Sequence, residues 1–321
     1  MRNFSTAHNL RIYGHADIDF VDIYIDGDVN FYLDPERIAR SSGLIAELAH
    51  QHLEDFFREL VWLAKNRERD KLYELLSYGH EPNETHLGMS SRQSRGRGVS
   101  PEILMPIIDD MLDLHLFERG VVGRLSDLPL VTPNFGEDRL SDLVTNVIRD
   151  VLHIFTRSQY DRWCIPYHAD QLSYRLPFWD DDEHRWKTMN APAFLSDGKP
   201  TLLVPKSFVG THLLLTPSQL LQKYALTYGQ EEHRAAGSAI CPIKTDKFGN
   251  SSLKTPSKRA VRAVDLKDRC GKDYIRFQAF HHPEMMPSYH HSIEDRAQQE
   301  NIFLSDEQLD ALLYRKVNIA I

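Results

Sequence analysis

Apolar residues recur at helical spacing between positions 140 and 154, and polar residues occupy the remaining face. This periodicity predicts a helix that begins near Glu137 and runs to about Arg157. Its apolar face has to be buried, so the rest of the fold is expected to pack around it. The residues of that face are Leu140, Leu143, Val144, Val147, Ile148, Val151 and Ile154.

The opposite face of the same helix carries a polar stripe. Asp138, Asp142 and Asn146 follow one another at i, i+4 spacing, and Arg149 adjoins them. Two carboxylates this close are chemically sufficient to hold Mg²⁺ or Mn²⁺, with water and phosphate as the other ligands. The alternative is structural, because acids in the first helical turn interact favourably with the helix dipole and Arg149 can neutralise an interior acid. Both interpretations stay open at the level of sequence.

Local patterns predict an α+β fold with a helical N-terminal portion, a small central β-sheet and a less regular, basic C-terminal region. A hairpin is predicted from strands at 20–25 and 29–33, which Asp26-Gly27-Asp28 joins as a tight turn. Further extended pieces are predicted at 172–179 and 201–205.

Helix starts are indicated by a capping residue followed by a residue that favours the first helical turn, such as proline. The predicted caps are Asp34 before Pro35, Ser100 before Pro101, Thr216 before Pro217, and Ser305 with Gln308. A long core-facing helix is predicted at 42–64. We divide the chain into an α+β core domain, 1–225, and a basic connector with a C-terminal helical region, 226–321.

The composition is that of an ordinary folded protein, with 41% hydrophobic and 26% charged residues. Cys164, Cys241 and Cys270 are odd in number and far apart, so we expect a reducing compartment, the cytoplasm. The chain shows neither an apolar run long enough to cross a bilayer nor a secretory leader, so no membrane association is expected.

The net charge is −8, yet two segments are locally basic. Arg95 and Arg97 lie in a glycine-bearing loop whose composition suits phosphate contact, although a solvated connector is the plain alternative. The basic segment, residues 241–272, holds nine Lys or Arg against three Asp, and we assign Lys258 and Arg259 within it to nucleic-acid binding. Its cations are Lys244, Lys247, Lys254, Lys258, Arg259, Arg262, Lys267, Arg269 and Lys272.

Phe178-Trp-Asp180 followed by Thr201-Leu-Leu-Val-Pro-Lys206 resembles the paired strands of PD-(D/E)xK nucleases. The resemblance implies that Asp142 on the helix and Asp180 on a strand bind the metal, and that Lys206 on the next strand stabilises developing charge. The second strand acid is absent, since Val204 stands at its position. A plain β-hairpin with a surface lysine is the alternative.

Asp22-Ile-Tyr-Ile-Asp-Gly-Asp and Asp138-Arg-Leu-Ser-Asp-x-x-x-Asn146 also resemble a group of bacterial proteins that is associated with mobile elements and phage defence. This resemblance implies a biological context and carries no catalytic assignment.

The function we favour from the sequence is metal-dependent phosphodiester hydrolysis in phage defence. In this hypothesis Asp138, Asp142 and Asp180 hold the metal, Lys206 assists catalysis, and Arg95 and Arg97 position the phosphate. The main alternative is a non-catalytic subunit of a defence complex that binds a nucleic acid or a protein partner. Hydrolysis of a free nucleotide is a third hypothesis.

Overall fold

The computed structural model describes residues 2–78, 82–88, 100–167 and 173–314. Within these ranges the fold is a mixed α+β fold with a helical N-terminal part, as the sequence predicts. The helices are α1 (Phe4–Ala7), α2 (Pro35–Ile38), α3 (Leu44–Lys65), α4 (Arg69–Leu76), α5 (Pro101–Asp113), α6 (Leu128–Val131), α7 (Glu137–Val147), α8 (Arg149–Arg162), α9 (Pro217–Leu220), α10 (Leu226–Ala235), α11 (Lys258–Asp265), α12 (Gly271–His281), α13 (Met285–Gln299) and α14 (Asp306–Leu313).

The strands are short or paired only in twos, and every pairing is antiparallel. They are β1 (Tyr32–Leu33), β2 (Ser173–Asp180), β3 (Arg185–Pro192), β4 (Leu195–Ser196), β5 (Lys199–Pro200), β6 (Val209–Gly210), β7 (Ile243–Thr245) and β8 (Ser251–Leu253). β1 pairs with β6, and the remaining strands form the hairpins β2–β3, β4–β5 and β7–β8.

The predicted helix starts are confirmed where the structure shows a cap. The side chain of Asp34 accepts a hydrogen bond from the amide of Glu36, and that of Thr216 accepts from the amide of Gln219. Ser305 and Gln308 form a reciprocal capping box. The long predicted helix is α3. These features depend on residues within a few positions of one another, which is why the sequence reveals them.

The predicted hairpin of residues 20–25 and 29–33 is wrong. Phe20 instead makes an isolated bridge with Pro205, and Val29 makes one with Leu87. β1, at the end of this segment, pairs with β6, which lies far along the chain. Residues 20–23 are all buried. A local hairpin would pair the edges of its two strands and leave their faces uncovered, so segments from distant parts of the chain enclose this stretch instead.

The prediction of one continuous helix from Glu137 to Arg157 is wrong, because this segment forms two helices. α7 ends at Val147 and α8 begins at Arg149, with the backbone of Ile148 between them at φ −98° and ψ 19°. Both helices bury an apolar face, so the apolar spacing continues across the break and conceals it. Ile154, which the sequence placed on that face, is instead 47% exposed.

Residues 201–205 do not form the predicted strand. β2 pairs along its whole length with β3, from Ser173 opposite Pro192 to Asp180 opposite Arg185. The predicted turn at Asp197-Gly198 is confirmed, and both residues have a positive φ between β4 and β5.

The chain forms two compact units. The first comprises Met1–Leu112, Gly136–Leu214 and Asn301–Ile321, and its core includes Phe56, Val144 and Trp179. The second comprises Asp113–Phe135 and Leu215–Glu300, and its core includes Tyr274, Met285 and Tyr289. The division of the chain near residue 225 stays a prediction.

Candidate functional site

The polar stripe residues Asp138, Asp142 and Asn146 lie on α7. The Asn146 side-chain amide donates to the Asp142 carbonyl at 2.8 Å. Asp138 Oδ1 approaches the backbone of Gly88 so closely that a Cβ there would lie 3.1 Å away, and the φ of Gly88 is +125°. α7 therefore brings the first acid of the stripe against the segment that precedes the predicted arginine loop. Arg95 and Arg97 themselves lie outside the described residues.

Arg149 begins α8 and is buried beside the stripe. Its Nη2 donates to Oδ1 of Asn146 at 2.7 Å, and its Nη1 lies 3.6 Å from Oε1 of Glu84. Its Nε is buried and has no hydrogen-bond partner among the described residues. These contacts agree with a structural role for Arg149, because a buried guanidinium needs nearby acidic and polar groups to compensate its charge.

Asp180 lies at the end of β2 and closes the turn into β3. It accepts a hydrogen bond from the amide of Glu183 at 2.8 Å and forms a salt bridge with Lys187 at 2.7 Å. The hydrogen bond from Lys187, followed by that from Glu183, lowers the pKa of this carboxyl. The carboxylate of Asp180 is thus engaged within its own hairpin.

Lys206 occupies the first position of a short 3₁₀ helix, Lys206–Phe208, and does not lie on a strand beside β2. Its Nζ donates to the carbonyl of His15 at 2.6 Å and to the carboxylate of Asp306 at 2.5 Å. The paired strands that the nuclease resemblance implies for Asp180 and Lys206 are therefore not formed, because β2 pairs with β3 and Lys206 begins a 3₁₀ helix.

Metal ligands of the expected kind are not assembled in the described part of the chain, where no three His, Cys, Asp or Glu side chains form a group that could hold a metal ion. Mg²⁺ or Mn²⁺ binding by Asp138, Asp142 and Asp180 stays a prediction.

The basic segment begins with the hairpin β7–β8, whose tip is ordered by one carboxylate. Asp246 accepts hydrogen bonds from the backbone amides of Phe248 at 2.8 Å and Asn250 at 2.9 Å. These bonds, with that from Asn250 first, lower the pKa of Asp246. Gly249 has a φ of +86°, which a glycine adopts without strain. The turn therefore holds Phe248 in a defined position at the tip.

α11 continues the basic segment. Val261 is its buried anchor, while Arg259 is exposed. Lys258 Nζ donates to the carbonyl of Gln222 at 2.6 Å, and Arg262 Nη2 lies 3.5 Å from Oε1 of the same residue. Carbonyl and amide oxygens are neutral, so these contacts position the two cations and leave their charges in place.

Among the described residues, none of the nine cations of the basic segment forms a salt bridge with a carboxylate. Two surface arginines of the first unit do form such pairs, Arg69 with Asp109 and Arg162 with Asp19. Lys272 has an internal role, because burial lowers its pKa and its Nζ donates to two backbone carbonyls of the second unit. In the described part of the chain, no carboxylate neutralises the charges of the other eight by direct pairing.

The second unit also contains a cavity of about 480 Å³. His233 and Asp265 line it, with Nε2 of the imidazole 2.9 Å from Oδ1 of the carboxylate. The Tyr274 hydroxyl donates to Oδ2 of Asp265 at 2.9 Å, and Nδ1 of His233 lies 2.9 Å from Oγ of Ser238. Ser238 is not among the residues that line the cavity. This network orders the cavity wall.

Our sequence interpretation did not single out Phe248. The signal was present in the turn Asp246-Lys-Phe-Gly-Asn250, an aromatic residue beside a lysine within a basic stretch. Only the burial of each side chain distinguishes such an aromatic residue from a core residue.

A family model described as Domain of unknown function (DUF8370) matches residues 10–223. No curated protein and no solved structure matches the chain. The basic segment lies beyond the matched residues. Each helix in the described part of the chain is too short or too polar to cross a membrane.

Proposed function

Because this chain belongs to a family described as a domain of unknown function (DUF8370), which assigns no activity, we propose from its surface that the basic segment binds the phosphate backbone of nucleic acid. The observation that carries the proposal is that the cations of residues 241–272 have no salt bridge to a carboxylate among the described residues. In a chain of net charge −8, such a segment is a local exception that favours a polyanionic partner.

Two elements supply these cations. The hairpin β7–β8 and its flanks carry Lys244, Lys247 and Lys254, and α11 carries Lys258, Arg259 and Arg262. Lysine ammonium groups act as point charges toward phosphate oxygens, and binding releases counterions from the nucleic acid. Such contacts fix the position of the backbone and carry no sequence information, so we expect no preference for base sequence from them.

Binding without cleavage corresponds to a non-catalytic subunit, the alternative that the sequence left open. The nuclease hypothesis adds a further component, a metal ion held by Asp138, Asp142 and Asp180. Cleavage and a role in phage defence are therefore additional hypotheses, and a protein partner in a defence complex is one more. Backbone binding by the basic segment does not depend on any of them.

The test is fluorescence anisotropy with labelled DNA and RNA, each single-stranded and duplex. Wild type is compared with a variant that combines Lys244→Gln, Lys254→Gln and Arg259→Gln. All three side chains are exposed, so folding should be preserved. We expect the variant to bind every nucleic acid roughly tenfold or more weakly at low salt.

A matched control removes the same kind of charge elsewhere. Arg69 and Arg162 are surface arginines whose charges are paired with Asp109 and Asp19. The double variant Arg69→Gln and Arg162→Gln should bind as wild type does. The triple variant removes three charges and the double variant two, so if the loss in binding free energy per charge removed is the same in both, the effect is one of total charge and the assignment to the basic segment is wrong.

A further inference from the structure

Phe248 is an aromatic residue that the fold displays to solvent. It is 77% exposed at the tip of the hairpin β7–β8, and Ile243 on β7 is 72% exposed. The ammonium of Lys247 lies 5.1 Å from the centroid of the Phe248 ring. Covering this exposed ring with a partner would remove its apolar surface from water, which is favourable.

The hairpin tip limits the freedom of this ring. Asp246 accepts from the amides of Phe248 and Asn250, and the Asn250 side chain also donates to it, at 3.2 Å. A carboxylate that binds three donors of its own turn fixes the backbone that carries the ring. A ligand that covers Phe248 therefore meets a backbone that is already ordered, which reduces the entropy lost on binding.

We propose that Phe248 stacks on an unpaired base, so that the hairpin selects single-stranded nucleic acid. This inference rests on the proposed function, since the same hairpin contributes cations to backbone binding. Every base has a π-face that can stack on an aromatic side chain whatever its identity. In a duplex the neighbouring bases already cover those faces, and only the phosphate contacts remain available.

Charge complementarity favours this occupant over an apolar protein surface. Lys244 and Lys254 lie near the base of the hairpin, and Lys247 adjoins the ring, so an apolar partner would have to desolvate these ammonium groups. A single strand instead offers an anionic backbone to the lysines and a base to the ring. This combination of positive charge and an aromatic ring is characteristic of single-strand binding.

The experiment measures affinities for a single strand and for the duplex of the same sequence, in DNA and in RNA, with Phe248→Ala, Phe248→Leu and Phe248→Trp. Stacking on one base corresponds to a factor of about 5 to 140 in affinity. We expect Phe248→Ala and Phe248→Leu to lose that factor for single strands, while their duplex affinity changes less than about twofold. Phe248→Trp should bind single strands as wild type does, and its added fluorescence should be quenched on binding.

Tyr13→Ala is the matched control, because Tyr13 is a fully exposed aromatic residue outside the basic segment. It should bind as wild type does. Retained single-strand affinity in Phe248→Leu would indicate a simple apolar contact and overturn the stacking inference. Equal losses for single strand and duplex would overturn the selection of single strands.

Failure of the inference and failure of the proposed function give different results. If Phe248→Ala binds single strands normally while the triple variant with Lys244→Gln, Lys254→Gln and Arg259→Gln does not, the stacking inference is wrong and backbone binding stands. If folded wild-type protein binds no nucleic acid at low salt, both are wrong.

Discussion

Lys206 donates from Nζ to the carboxylate of Asp306 at 2.5 Å, which joins a residue of the central chain to the start of α14. The same ammonium donates to the carbonyl of His15 at 2.6 Å. Nearby, the hydroxyl of Tyr314 donates to the buried carboxylate of Asp22 at 2.8 Å. Lys206 thus belongs to the contacts that attach the C-terminal helix to the rest of its unit, and its amine is occupied there.

Lys206→Met is expected to lower the free energy of unfolding by about 1–2 kcal/mol, because Asp306 and the His15 carbonyl lose a charged donor in a partly buried place. Nucleic-acid binding should be unchanged. Urea denaturation and anisotropy measure the two effects, and Lys199→Met, at an exposed lysine, is the matched control. Loss of binding or cleavage without loss of stability would instead assign Lys206 to a ligand.

Asp34→Ala is expected to lower the free energy of unfolding by about 3–5 kcal/mol, because it removes the buried carboxylate that forms an ion pair with the guanidinium of Arg37. The Asp34 carboxylate accepts from Arg37 at 2.6 Å and from the amide of Leu214 at 2.8 Å. Asp180→Ala, which breaks a surface hairpin salt bridge, should change stability by less than about 1 kcal/mol. Similar values for both variants in urea denaturation would contradict this prediction.

His52 gives stability that depends on pH. Burial by itself lowers the pKa of His52, but the hydrogen bond to Asp150 and the charges of Asp150 and Asp181 outweigh burial and raise the pKa above 6.5. A raised folded-state pKa means that the stabilisation is complete below the unfolded pKa and disappears as the pH rises through the folded pKa.

The free energy of unfolding of wild type should therefore exceed that of His52→Gln by more at about pH 5.5 than at about pH 9. Urea denaturation at several pH values measures this difference. His50→Gln reports the effect of replacing a more accessible imidazole on the same helix, one that lies 3.7 Å from the carboxylate of Glu54. A difference that grows toward high pH would show that the carboxylates do not hold His52 protonated.

The salt dependence of binding counts the phosphate contacts. Each contact contributes about 0.9 to the slope of log K against log salt for a duplex. Replacing Lys244, Lys254 and Arg259 by glutamine should reduce that slope by about 2.7 if all three contact phosphate. Anisotropy titrations over a series of salt concentrations give the slope, and an unchanged slope would remove these residues from the interface.

The metal-site hypothesis for α7 makes a separate prediction. If Asp138 and Asp142 bind Mg²⁺ or Mn²⁺, the metal stabilises the folded state by about 1.4 kcal/mol at ten times its Kd. The melting temperature of wild type should then rise with added metal, and that of Asp142→Asn should not. Identical melting temperatures with and without metal would argue against the site.

Local signals in the sequence determined a large part of the secondary structure. Capping by Asp34, Thr216 and Ser305 and the turn at Asp197-Gly198 depend on residues within about four positions, so the sequence contains the complete interaction. The apolar periodicity of α3 is likewise local. The excess of positive charge in residues 241–272 was equally visible, because it is a property of composition.

Tertiary structure alone decided which distant groups meet. Phe20 bridges to Pro205 where the sequence suggested a local hairpin, and Lys206 finds Asp306 a hundred positions away. Whether the charges of the basic segment are neutralised depends in the same way on which carboxylates fold against them. The sequence determines which groups the chain carries and which short-range hydrogen bonds they form. Which distant groups come into contact depends on how the core packs, because the favourable free energy of apolar burial is summed over the whole unit.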